Sequence, residues 1–140
     1  MDRLIVDASM AVAWIHPGQA TPQSNALLAE VGSGTTLVQP ALWPIEVANV
    51  LLVLERRGKL TRSERTEALE TLSLLDIQID HEMSALAFTR LSQLALDLGL
   101  SVYDAAYVEL ALRLKLPLAS KDVPLREAAR KRRVTVLPRG

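Results

Sequence analysis

No cysteine occurs in the 140 residues. That absence excludes a zinc–thiolate site, a dithiol redox motif and a cysteine nucleophile, and it suits a reducing compartment. Aromatic residues are scarce at 4%, too few for a broad base-stacking platform. Net charge is also missing: 16 basic and 16 acidic side chains cancel, so bulk electrostatics alone would not grip duplex DNA. The two histidines, His16 and His81, lack partners at metal-ligand spacing and are expected in surface loops. No apolar run is long enough to span a bilayer. Met1-Asp2-Arg3 enters the first apolar run without the charged and hydrophobic regions of a signal peptide. The expectation is a soluble, cytoplasmic protein with no membrane partner.

What is present is a globular composition, 49% hydrophobic and 23% charged. It fits one domain over residues 1–140, long enough to bury a core without cross-links. The first informative stretch is Leu4-Ile5-Val6-Asp7, an apolar run that stops at a carboxylate and reads as a buried strand ending in a polar turn. A helix capped by Ser9 is predicted over Ser9–Ile15, ended by His16-Pro17-Gly18, and a second runs from Pro22 to about Val31. Thr35–Gln39 reads as the second strand. Pro44–Arg57 is a helix with Gly58 as its stop, apolar on nearly every face, so burial on more than one side is expected. Thr61 opens the next helix with a Thr-x-x-Glu capping box to Glu64. Further strands are predicted at Ile77–Ile79, Leu116–Ala119 and Val134–Leu137, and further helices at Ser84–Leu98, Val102–Leu114 and Val123–Arg132. Short strands alternating with helices predict a Rossmann-like, three-layer α/β/α sandwich with a parallel sheet of five strands.

Four carboxylates recur at one kind of place. Asp7 and Asp122 follow strands, Glu46 lies in the first turn of the helix after the second strand, and Asp104 opens the helix before the fourth strand. Each has a plain explanation as a helix cap or as a charge favoured by the helix dipole. In a parallel sheet, however, these places share the edge where ligands bind. Two like charges about 4 Å apart cost about 4 kcal/mol at an effective dielectric near 20, so such a cluster calls for a cation or a shared proton. An all-oxygen donor set without His or Cys suits Mg²⁺ or Mn²⁺ rather than zinc.

Val6-Asp7-Ala8-Ser9, Leu42-Trp43-Pro44-Ile45-Glu46-Val47-Ala48-Asn49-Val50-Leu51, Tyr103-Asp104-Ala105-Ala106-Tyr107 and Leu118-Ala119-Ser120-Lys121-Asp122 follow one another in the order of a known family. The chain resembles the PIN domain, and within it the VapC ribonuclease toxins of toxin–antitoxin pairs. The resemblance runs over nearly the whole length. It implies a Mg²⁺- or Mn²⁺-dependent endoribonuclease acting on RNA, a homodimer, and a small antitoxin whose C-terminal segment lies across the site. Asp7, Glu46, Asp104 and Asp122 match the family's acidic quartet, and Ser120 matches its hydroxyl position. On that reading Asp7 and Asp104 ligate the ion directly, while Glu46 and Asp122 act through waters or a second ion. Glu46 takes the proton of the attacking water, Ser120 holds Asp122 or that water, and Asn49 orients Glu46.

Arg126, Arg130, Lys131, Arg132 and Arg133 form a basic cluster beside Asp122. It reads either as a solvated helix end or as a phosphate grip on RNA, with Arg126, Arg130 and Arg133 as the candidate contacts and Arg56, Arg57 and Lys59 as an extension. Trp14 and Trp43 are expected in core or dimer packing. Two other functions compete. A phospho-acceptor signalling domain would need an acidic pair at the end of the first strand and a lysine after the last, and Asp2 and Arg139 supply neither. A non-catalytic binding module, with the carboxylates serving only as caps, uses the same residues as the metal reading.

Thermal unfolding with added Mg²⁺ separates caps from a cation site. At about 100-fold over the dissociation constant the ion adds about 2.7 kcal/mol to stability. An unchanged midpoint would leave the carboxylates as caps.

Overall fold

A computed structural model describes residues 1–140. Strand β1 (Arg3–Val6) leads through helix α1 (Ala8–Ile15) and α2 (Pro22–Gly32) to β2 (Thr36–Pro40). Helices α3 (Trp43–Arg56) and α4 (Arg62–Ser73) follow, then β3 (Ile77–Asp80). The chain continues through α5 (Met83–Leu86), a π-helical turn (Ala87–Leu91), α6 (Ser92–Leu98) and α7 (Val102–Leu114) to β4 (Leu118–Ala119), α8 (Val123–Lys131) and β5 (Val136–Leu137). The strands form one sheet in the order β3-β2-β1-β4-β5, and every neighbouring pair is parallel. Right-handed crossovers put α1 to α4 on one face and α5 to α8 on the other. That is the predicted parallel α/β architecture.

The strand order reverses between β1 and β4, so the crevice beyond their carboxyl ends is the fold's natural binding place. Leu4, Ile5 and Val6 are fully buried because both faces of a parallel sheet are covered. No helix is long and apolar enough to cross a membrane.

Three departures from the sequence reading have physical causes. The predicted helix over Ser84–Leu98 contains a π-helical turn at Ala87–Leu91. The wider turn leaves Leu91 buried and Leu86 half-buried while Phe88 stands 98% exposed. Helix α3 buries Trp43, Val47 and Leu51 only, a single stripe at four-residue spacing. Val50, Leu52, Val53 and Leu54 are half-buried, and Pro44, Ile45 and Ala48 are exposed, so one chain does not bury this helix on every side. Helix α1 is capped by Asp7 rather than Ser9. The Thr61–Glu64 capping box forms as expected, at 2.8 and 3.0 Å. Both tryptophans lie in the core.

A further device sits at the end of β1. Pairing of β1 with β2 stops at Leu4 and Leu37. The next donor on β2 would be Pro40, which has no N–H. The fully buried Gln39 side chain replaces it: Nε2 donates to the Val6 carbonyl at 2.9 Å, and Oε1 accepts from the Val6 N–H at 3.2 Å. The strand that ends in Asp7 is thereby held where the backbone ladder fails. Gln39→Leu strips both partners from buried backbone groups and should cost about 2–4 kcal/mol in urea unfolding. A change under about 0.5 kcal/mol would mean that Gln39 does not hold β1.

Candidate active site

Asp7 is the centre of the site. Its N–H donates to the Ala119 carbonyl at 3.1 Å, fixing it beside β4, and it is only 5% exposed. One carboxylate oxygen, Oδ1, accepts from Ser9 Oγ at 2.7 Å and from the Met10 N–H at 3.0 Å; Oδ2 accepts from Ser120 Oγ at 2.5 Å. Those hydroxyls are held in turn. The Lys121 N–H donates to Ser9 Oγ at 2.9 Å and the Asp122 N–H to Ser120 Oγ at 3.0 Å. Two backbone amides of the β4–α8 turn therefore orient two serines, and each serine donates to a different oxygen of Asp7.

The other three acids surround this centre. Asp122 caps α8 through Oδ1, which accepts from the Leu125 N–H at 3.0 Å, while its second oxygen accepts no hydrogen bond from the protein. Asp104 opens α7, where its N–H donates to the capping Ser101 Oγ at 3.1 Å. Glu46 lies in the first turn of α3, and its Oε1 accepts from the Tyr107 hydroxyl at 2.8 Å.

Burial raises the Asp7 pKa above its ordinary value, against the pull of Ser120, Ser9 and Met10, and the charge of Asp122 raises it further. Asp104 is raised by burial and then by Asp122, with Ser101 opposing. Asp7 and Asp104 thus both feel the charge of Asp122. Tyr107 feels Glu46, Asp7 and Asp104 together, which brings in the fourth.

No ion pair in the molecule involves any of the four. The nearest cations are turned to backbone: Lys121 Nζ donates to the Gln19 carbonyl at 2.8 Å. Arg126 donates to the carbonyls of Ser120 at 2.7 Å, Leu137 at 3.0 Å and Pro138 at 2.6 Å. No three acidic or histidine side chains converge closely enough to ligate one ion by themselves. The donor set still fits a hard cation that keeps most of its waters and takes one or two carboxylates.

Several expected roles change. Ser120 holds the carboxylate of Asp7, not that of Asp122. Asn49 is exposed and makes no bond to Glu46; Tyr107 does that instead. Arg126 is committed to the chain's own carbonyls and does not present a free guanidinium to RNA. Arg130 lies about 12 Å along α8 from Asp122 at helical rise and donates to the Gly140 carbonyl at 3.1 Å. Arg133 is exposed just past the helix end, farther still. Tyr107 and Gln39 were not singled out from the sequence. A tyrosine one turn after an acid, and a glutamine before a strand-ending proline, are weak signals without the fold.

The arrangement, an acidic basin at the β1/β4 switch point of a 3-2-1-4-5 parallel sheet, defines a class. The chain belongs to the PIN domain family, whose family model matches residues 4–131. Among curated proteins it is similar to Ribonuclease VapC3 of Pyrobaculum aerophilum, 35% identical over 129 residues, which span 89% of this chain and 93% of that protein. Among solved structures, PAE2754 from Pyrobaculum aerophilum shares the fold with a TM-score of 0.69 at 20% identity, over 96% of this chain and 83% of that one. VapBC2 from Rickettsia felis, solved bound to a DNA fragment from its promoter, gives 0.64 at 11% identity over 96% of each chain.

The raised Asp7 pKa has a sign that can be tested. Its folded value lies above the unfolded one, so the ionised form destabilises the fold at neutral pH, and this is relieved as pH falls through the folded value. Asp7→Asn in metal-free buffer should match or exceed wild-type stability at pH 7, and its advantage should shrink toward pH 4. A growing advantage at low pH would reverse the assignment.

Proposed function

We propose that this chain is a divalent-cation-dependent endoribonuclease, the toxin of a toxin–antitoxin pair. The observation that carries this reading is the basin itself: a buried carboxylate supplied with hydroxyl donors, three more acids around it, and no basic side chain paired with any of them. A phosphodiester could not approach such a basin against its charge without a cation. The similarity to a VapC ribonuclease supports RNA as the substrate.

Asp7 and Asp104 would hold Mg²⁺ or Mn²⁺, with Asp122 and Glu46 reaching it through water. When bound, the ion supplies charge neutralisation at phosphorus and a more acidic water. The chain's own residues do the rest. Ser9 and Ser120 hold Asp7 in one orientation. Glu46, half-buried at the start of α3, accepts the proton of the attacking water, and Asp122 keeps one oxygen open toward the basin. Arg130, near the end of α8, and Arg133, just past it, would contact RNA outside the reacting centre.

Exposed apolar surface supports the proposed partners. Ile45, Tyr103 and Val123 are 74%, 66% and 61% exposed, and each is the chain neighbour of one of the acids. A small antitoxin laid across the site would cover them. The half-buried outer side of α3 would be completed by a second copy of the chain. The alternative of a non-catalytic binding module draws on real caps, since Asp7 and Asp122 do cap α1 and α8. Each cap, however, occupies only one carboxylate oxygen.

Cleavage of structured RNAs under titrated Mg²⁺ or Mn²⁺ tests the reading. Asp7→Asn should abolish metal-dependent cleavage with the fold intact, and Glu46→Gln should lower kcat about 10²–10⁴-fold. Full cleavage by Asp7→Asn in Mg²⁺ would remove Asp7 from the reaction. A wild type that cleaves no RNA with either ion would favour the binding module.

A further inference from the structure

We propose that Tyr107 is a positioning residue for the reaction, its buried hydroxyl fixing the Glu46 carboxylate by a single hydrogen bond that spans the two helical layers. The inference rests on the nuclease reading above and names a residue that acts through Glu46.

Tyr107 lies in the core at 1% exposure, packed within the main hydrophobic cluster. A phenylalanine would satisfy that packing. What tyrosine adds is one polar atom, and a buried hydroxyl needs a partner. Its partner is Glu46 Oε1, at 2.8 Å and 61 residues away in sequence. Glu46 has little else to hold it. Helix α3 has no side-chain cap bond, no ion pair involves Glu46, and Asn49 does not reach it. A glutamate with free side-chain torsions would spend much of its time turned away from the basin. Tyr107 is stiff by comparison, locked by packing on the same rigid helix as Asp104, one turn further on. One helix therefore sets the place of Asp104 directly and that of Glu46 through a hydroxyl, leaving Glu46 Oε2 without a competing donor from Tyr107.

The choice of donor suits the site. A lysine or arginine here would orient Glu46 but also neutralise it and repel a cation. A neutral phenol orients the carboxylate and leaves its charge available. Burial, and then the charge of Glu46, hold the Tyr107 hydroxyl protonated far above the usual tyrosine range, so it stays a donor at every working pH.

The test is Tyr107→Phe in the full chain. The expected result is a kcat about tenfold lower at saturating RNA and Mn²⁺, with the KM for RNA nearly unchanged and the fold retained, as loss of an interaction that serves the reacting group predicts. In a Glu46→Gln background, the same substitution should cost nothing further. A second measurement avoids both cleavage and core truncation. With 3-fluorotyrosine at position 107, the ¹⁹F resonance should move on Glu46→Gln and stay put on Asn49→Ala. Wild-type kcat in Tyr107→Phe, an equal loss in both backgrounds, or a ¹⁹F signal indifferent to Glu46 would each overturn the inference while the nuclease reading stands. A wild type that neither cleaves RNA nor binds Mn²⁺ would remove the reaction that Tyr107 is said to serve, and both would fall.

Discussion

A carboxylate taken out of water and given hydrogen-bond donors, but no opposite charge, is the constraint around which this fold is arranged. Asp7 sits at 5% exposure between two serine hydroxyls and a backbone amide. Neutral donors lower the cost of its charge without removing it. The result is a carboxyl group whose ionised form is disfavoured by burial, so its pKa lies above the ordinary value. Each feature nearby keeps that condition. Gln39 secures the strand that carries Asp7, the β4–α8 turn aims the serines, and the local cations are spent on backbone carbonyls.

The molecule treats charge in the opposite way around Arg113. Arg113 donates to Asp80 at 2.9 and 3.0 Å, to Glu109 at 2.8 Å and to Glu82 at 3.0 Å. Glu109 is 1% exposed, so it is as buried as any acid in the chain, yet it has a guanidinium beside it. Arg113 holds Asp80 below the usual carboxylate range, in contrast to Asp7 and Asp104, which are held above it. The acids around Arg113 are neutralised by a guanidinium, whereas Asp7, Glu46, Asp104 and Asp122 form no ion pair.

Helix capping does not exhaust the carboxylates that cap α1 and α8. A carboxylate has two oxygens, and a cap consumes one. Asp122 gives Oδ1 to the first turn of α8 and keeps the other; Asp7 gives Oδ1 to Met10 and to Ser9, and Oδ2 to Ser120. The cap fixes where the side chain points, because the helix start is itself fixed by the strand before it. This is an economical way to build a rigid basin at the carboxyl edge of a parallel sheet, where strand ends and helix starts already meet.

The amino-acid sequence by itself determined the element order, the parallel sheet and the acids at its carboxyl edge, because apolar period and chain punctuation are local properties. Leu4 to Val6 followed by Asp7, and the Thr61–Glu64 box, were legible for that reason. Tertiary structure decided which atoms meet. The bond from Tyr107 to Glu46 spans 61 residues and that from Ser120 to Asp7 spans 113, and no spacing encodes either. The fate of Arg126 depends on carbonyls that reach it only after β4 and β5 have paired. Such contacts are set by packing of distant segments against one another, and packing is where a one-dimensional pattern stops carrying information.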